Sequence, residues 1–153
     1  MSGTFYGREH FDAQLIISQM CVMQALHYLA LGASFFLMDS LMGVPISLDQ
    51  FFTSNVFENM STRLAWATVF AVFLCAVCDV GFLYVVVERA KKCLDFGTTL
   101  YGFHILICFL YDGLPTHWVW WFCNILATIF TVISGEYVCA RREMRDITIV
   151  RGV

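Results

Sequence analysis

Leu64–Val87 reads LAWATVFAVFLCAVCDVGFLYVVV, and the residues that follow are Glu88, Arg89, Ala90, Lys91 and Lys92. Across that apolar run the single charged residue is Asp79, and then three bases arrive between positions 89 and 92. A helix needs ~20 apolar residues to cross a ~30 Å hydrocarbon core. Lipid offers no hydrogen bonds to a backbone, so a lone run of this kind crosses as a helix. The abrupt basic end marks one face of the membrane.

Outward from this run, three more apolar stretches appear at Leu15–Met38, Phe96–Tyr111 and Trp118–Cys139. The expected fold is all-α: a polytopic membrane protein built as a four-helix transmembrane bundle, with spans at about 15–38, 64–87, 96–111 and 118–139. Residues 15–139 make the membrane domain, between an N-terminal tail at 1–14 and a C-terminal tail at 140–153. With 59% hydrophobic and 14% charged residues, 153 positions leave room for the spans and little else. A soluble catalytic module and a nucleic-acid-binding surface are both excluded on these grounds. The first apolar stretch is too long for the core of a cleaved signal peptide, so it is expected to act as an uncleaved signal anchor.

Charge sets the orientation. Arg8, Arg89, Lys91, Lys92, Arg141, Arg142, Arg145 and Arg151 fall in the two tails and the middle connection, while the other two connections hold only Arg63. Lys and Arg concentrate in cytoplasmic segments, which predicts cytosolic N- and C-termini and a lumenal 39–63 loop.

All seven cysteines lie in the spans or at their cytosolic ends, so neither lumenal connection offers a disulfide. Cys75 and Cys78 form a CxxC in mid-helix, with no partnering His or Cys pair at ligand spacing, and read as small packing residues. No metal or other cofactor is expected. Cys93 and Cys139 are juxtamembrane, a position where S-acylation occurs.

The connections carry their own signals. Asp12 is placed to cap the first span. After Pro45, Ser47-Leu48-Asp49-Gln50 has capping-box spacing and predicts a short helix whose Phe51 and Phe52 lie on the bilayer surface. Glu88 and Lys92 have favourable i,i+4 polarity, which predicts that the second span continues past the membrane edge. Trp118, Trp120 and Trp121 predict an aromatic belt for the fourth span. The short connections at 88–95 and 111–116 predict that spans two and three, and spans three and four, are antiparallel neighbours.

Polar residues recur inside the spans at helical spacing: Gln24, His27 and Ser34 in the first, Gly97, Tyr101, His104, Cys108 and Tyr111 in the third, Asn124, Thr128, Thr131 and Gly135 in the fourth. The second carries Ala67, Ala71, Cys75 and Cys78 beside Asp79. Such stripes let helices approach closely and bond to one another where hydrocarbon gives no incentive to associate. Asp79 and His104 each lie eight residues from a cytosolic helix end, ~12 Å deep, and an acid there costs several kcal/mol unless paired or neutral. An intramembrane Asp79–His104 pair is the expectation. Glu136 lies within a turn of the cytosolic surface, where it is expected to snorkel or to meet Arg89, Lys92 or Arg141. HExxH, GxSxG, paired intramembrane aspartates and phosphate loops are all missing from the chain, so an enzyme is not expected.

Cys93-Leu94-Asp95-Phe96 and Gly135-Glu136-Tyr137-Val138-Cys139-Ala140-Arg141-Arg142-Glu143 are more specific than a generic bundle requires. With Ser47-Leu48-Asp49-Gln50-Phe51-Phe52, Arg63-Leu64, His104, Tyr111 and Pro115 ahead of Trp120-Trp121, they resemble the Sys-one family, from about Gln14 to Ile147. The resemblance implies a four-span protein of the trans-Golgi membrane. It further implies a receptor for an ARF-like (ARF-related) small GTPase, whose acetylated amphipathic N-terminus replaces a lipid anchor and which in turn recruits golgins. Ile147-Thr148 departs from the family's usual Ile-Pro step, and Asp79 belongs to none of these blocks.

On this reading the docking surface is the cytosolic rim of Lys91, Lys92, Asp95, Glu136, Arg141 and Arg142, where basic groups attract an acidic partner or anionic lipid. The alternative is a small transporter or channel subunit using Asp79 and His104. A structural tetraspan of the claudin or tetraspanin kind would need lumenal cysteines that this chain lacks.

Overall fold

The computed structural model describes residues 13–151, with side chains described as far as Arg145. Arg8 and the Asp12 cap lie outside the described residues, and the side chains of the Ile147-Thr148 step lie outside the described side chains. Five α-helices follow one another: α1 (Ala13–Met42), α2 (Asp49–Phe52), α3 (Arg63–Phe82), α4 (Ala90–Asp112) and α5 (Trp118–Arg151). α1, α3, α4 and α5 are each long and apolar enough to cross a membrane. Their outward residues are large and apolar: Leu29, Phe36, Leu110 and Trp118 are all more than 60% exposed. Only hydrocarbon accommodates such a surface around closed helical backbones.

Local chemistry sets the helix ends. Thr62 caps α3 by accepting a bond from Ala65 N at 3.2 Å. α4 stops at Gly113, whose φ of 86° belongs to the region a side chain disfavours. α3 does not run straight through its basic end. It passes into a π turn at Leu83–Val87, where Glu88 N bonds back to Leu83 O at 3.2 Å. Glu88 then takes φ 61° and closes the helix. The expected continuation past the membrane edge therefore fails, and Glu88 and Lys92 belong to different helices.

Helix order around the bundle is α1, α3, α5, α4. α1 packs on α3, α3 on α5, α5 on α4 and, more lightly, α4 on α1. α3 and α4 consequently stand on a diagonal, contrary to the expectation for a pair joined by so short a corner. The π turn accounts for this, because it lies against all four long helices and lets α4 leave from beneath the bundle. α4 and α5 are direct neighbours, as their short connection predicts.

Small residues decide how closely the helices approach. Ala65, Ala67, Ala71, Cys75 and Ala76 on α3 are buried almost completely. At Gly97 an added Cβ would lie 2.7 Å from Val132 Cγ2, and at Gly135 2.7 Å from Leu83 Cδ1. Both are contacts that no side chain tolerates without movement.

α2 corrects two expectations. Its phenylalanines turn into the bundle end: Phe51 packs on Phe35 with ring centres 4.3 Å apart, and Phe52 on Tyr111 at 5.3 Å. The capping box also fails, since Ser47 Oγ accepts from Asp49 N at 3.2 Å while the Gln50 side chain is buried. The aromatic belt is thinned as well. Trp118 is exposed, but Trp120 is in the core.

Candidate functional site

Two polar assemblies stand out, one inside the bundle and one at the end that carries Arg89, Lys91, Lys92, Arg141 and Arg142. Inside, Asp79 is fully buried, and its partner is His27 on α1: His27 Nδ1 lies 2.9 Å from Asp79 Oδ2. The expected Asp79–His104 pair is not formed. The diagonal placement of α3 and α4 explains this, because His104 faces α1, where its Nδ1 and Tyr28 Oη lie 3.2 Å apart. Its ring also stacks on Trp120, 6.4 Å away at an interplanar angle of 17°. From α4 only Tyr101 reaches across to Asp79, at 3.5 Å, with Thr131 Oγ1 of α5 3.3 Å from the same hydroxyl.

Cys75 lies one turn before Asp79 on the same face of α3. Its Sγ is 3.6 Å from His27 Nδ1 and 3.9 Å from Asp79 Oδ2. The structure thus supplies the histidine that the CxxC lacked in the sequence, and pairs it with Cys75, not Cys78. His27, Cys75 and Asp79 hold their donor atoms within 4.8 Å of one another. Between this cluster and the basic end lies an apolar layer of Leu83, Val87, Cys93, Phe96 and Cys139, all buried.

At the basic end α3, α4 and α5 are clamped together. Arg142 donates from Nη1 to Tyr84 O at 2.9 Å and from Nη2 to Glu88 Oε1 at 3.0 Å, and its guanidinium stands 4.9 Å from the centre of the Tyr84 ring. Glu143 Oε1 accepts from Ala90 N at 3.2 Å. That bond caps α4, whose own N-cap residue Arg89 makes no side-chain cap bond. Beneath, Cys93 Sγ meets Cys139 Sγ at 3.5 Å. Both thiols are fully buried, a position that shields them from acylation.

Of the residues expected at the docking rim, Arg142 belongs to the clamp. Lys91, Asp95, Glu136 and Arg141 are exposed and Lys92 is half-buried. Arg141 rests over its own helix's Tyr137 at 4.8 Å. Asp95 accepts at its backbone oxygen from the Thr98 and Thr99 hydroxyls, 3.2 and 2.6 Å away. His27, Glu88 and Glu143 were legible as helix-face or rim residues, but nothing in their spacing named their partners.

The two sequence blocks 93–96 and 135–143 thus meet at one end. The blocks around 47–52, 104, 111, 115 and 120–121 meet at the other. There Tyr111 Oη donates to Asp49 Oδ1 at 3.4 Å and Trp121 Nε1 to Pro115 O at 2.9 Å.

These features define a four-span integral membrane protein with a polar centre and one clamped, basic end. The family described as SYS1, integral membrane protein S linking to the trans Golgi network, matches residues 6–149. The chain belongs to that family. It is 34% identical over 142 residues to the protein SYS1 homolog of Nematostella vectensis, covering 93% of this chain and 90% of that one. It is 33% identical over 150 residues to the homolog of Dictyostelium discoideum, and 25% identical over 130 residues to protein SYS1 of Saccharomyces cerevisiae. Those alignments cover 97% and 84% of this chain but only 63% of each relative's length. No solved structure matches.

Proposed function

We propose that this protein is a multi-pass receptor of the trans-Golgi membrane that recruits an ARF-like (ARF-related) small GTPase, with the basic end facing the cytosol. Family membership supports the Golgi setting. The observation that carries the docking site is the clamp. Arg142, Glu88, Tyr84 and Glu143 tie the ends of α3, α4 and α5 into one platform. The bases beside it, Lys91, Lys92 and Arg141, remain available to a partner or to anionic lipid. A preorganised surface loses little side-chain freedom on binding, which favours recognition by a small rim without a separate binding domain. The acetylated N-terminal helix of the GTPase would lie along the rim with its apolar face in the membrane.

The test reverses charge outside the clamp. Lys91→Glu with Lys92→Glu should release the GTPase to the cytosol while the four-span protein stays in the Golgi. Glu58→Lys, on the exposed opposite end, should leave recruitment unchanged. Normal GTPase retention by the double lysine variant would place docking elsewhere.

A further inference from the structure

His27, Cys75 and Asp79 converge from α1 and α3 with one nitrogen, one sulfur and one oxygen facing a common point, and the three residues are 2%, 1% and 0% exposed. The edges of this triangle are 2.9 Å for N to O, 3.6 Å for S to N and 3.9 Å for S to O. A tetrahedral zinc ion with ordinary bond lengths sets its ligand atoms about 3.3 Å apart for N and O, and about 3.5 Å when sulfur is one of the pair. Each edge therefore lies within a few tenths of an ångström of a liganding face.

Hydrogen bonding alone leaves this cluster incomplete. Asp79 Oδ1 and His27 Nε2, neither of them an atom of the triangle, have no partner although both are sealed from solvent, and an ion held by both carboxylate oxygens would satisfy Oδ1. An unpartnered carboxylate oxygen in a hydrocarbon-bounded core is costly, and this carboxylate is shared by only one nitrogen, one thiol and a long Tyr101 contact.

Charge selects the ion. A thiolate, a carboxylate and a neutral imidazole sum to −2, so a divalent cation makes the site neutral, as a membrane interior demands. Binding the ion requires His27 Nδ1 to present its lone pair and the Cys75 thiol to give up its proton, which is released as the sulfur–metal bond forms. The mixed N, S and O donor set suits zinc and disfavours the oxygen-seeking magnesium and calcium.

We infer that His27, Cys75 and Asp79 form a structural zinc site that pins α1 to α3 inside the membrane. The fourth position falls to a water or to Tyr101 Oη, which lies 3.5 Å from Asp79 Oδ2 and is steadied by Thr131. Cys78, half-buried one turn from the cluster, is not a ligand.

The experiment uses the full chain, expressed in zinc-replete medium without a histidine tag and purified in detergent. Elemental analysis should find about one zinc per chain, the stoichiometry of a single site. Cys75→Ser should weaken affinity beyond the ~10–100-fold that an outer-shell change costs, and Cys78→Ser should not. Cobalt(II) exchanged into the wild type should show tetrahedral visible bands and a thiolate-to-cobalt charge-transfer band. Cys75→Ser should lose the charge-transfer band even if the protein remains folded, as judged by its helical circular dichroism. Zinc well below one per chain, or a cobalt spectrum that Cys75→Ser leaves unchanged, overturns the site.

Discussion

His27 Nδ1 stands 2.9 Å from Asp79 Oδ2, across 52 residues of chain and between two helices that no short loop joins. This contact ties the first and second spans at the middle of the bundle. It exists because α1 and α3 are neighbours and α4 is not beside α3.

Coupling at this contact is measurable by a double-mutant cycle. Removing one partner of this buried contact leaves the other an unsatisfied polar group, which costs about 1–3 kcal/mol. Asp79→Asn and His27→Ala should each destabilise the bundle by an amount of that order, and the double variant should be no worse than the more damaging single one. Asp79→Asn combined with His104→Ala should couple far more weakly, because the two residues meet only through the His27 ring. Reversible unfolding in mixed micelles measures all three. Strong coupling of Asp79 to His104 would show that the helix order is wrong.

Gly135 predicts a steric effect. Gly135→Ala puts a methyl 2.7 Å from Leu83 Cδ1 and should cost about 1–3 kcal/mol, the range for an overpacked core. Adding Leu83→Ala removes the clash, so the pair should be less damaging than the two single effects summed. The same measurement on Gly97→Ala, with Val132→Ala as its rescue, tests the α4–α5 approach.

The clamp rests on geometry that a lysine does not reproduce. Arg142 reaches two oxygens and an aromatic face at once, so Arg142→Lys should recover little of what Arg142→Ala loses. The total loss should be about 1–2 kcal/mol, because the site is partly open to solvent and the ion pair itself adds under ~1 kcal/mol. Thermal stability in detergent reads this directly. Glu88→Gln, which keeps a hydrogen-bond acceptor, should cost less than Arg142→Ala.

Orientation is tested independently of stability. An epitope fused after Val153 should be digested by protease added to sealed Golgi vesicles, while one inserted in the 55–58 turn should be protected. The reverse pattern would place the basic end in the lumen and remove the proposed docking surface from the cytosol.

The sequence by itself determined the number of spans, the concentration of bases at one end and the face of each helix that turns inward. These are local properties, set by hydropathy over ~20 residues and by the 3.6-residue repeat. His27, Ser34, Tyr101, His104, Asn124 and Thr131 are all buried, as their spacing required, whereas Gln24 and Thr128 are half-buried and Tyr111, at the end of its stripe, is exposed. Which buried face meets which was decided only by the tertiary structure. A stripe states that a residue points inward, but in a four-helix bundle two neighbours and one diagonal helix all lie inward. The π turn at Leu83–Val87 and the left-handed Glu88 redirect the chain beneath the bundle, so loop length alone misplaced α4 beside α3. The Asp79 partner, the Arg142 clamp, the inward packing of Phe51 and Phe52 and the burial of Trp120 all follow from that helix order, because each depends on contacts between segments far apart in the chain.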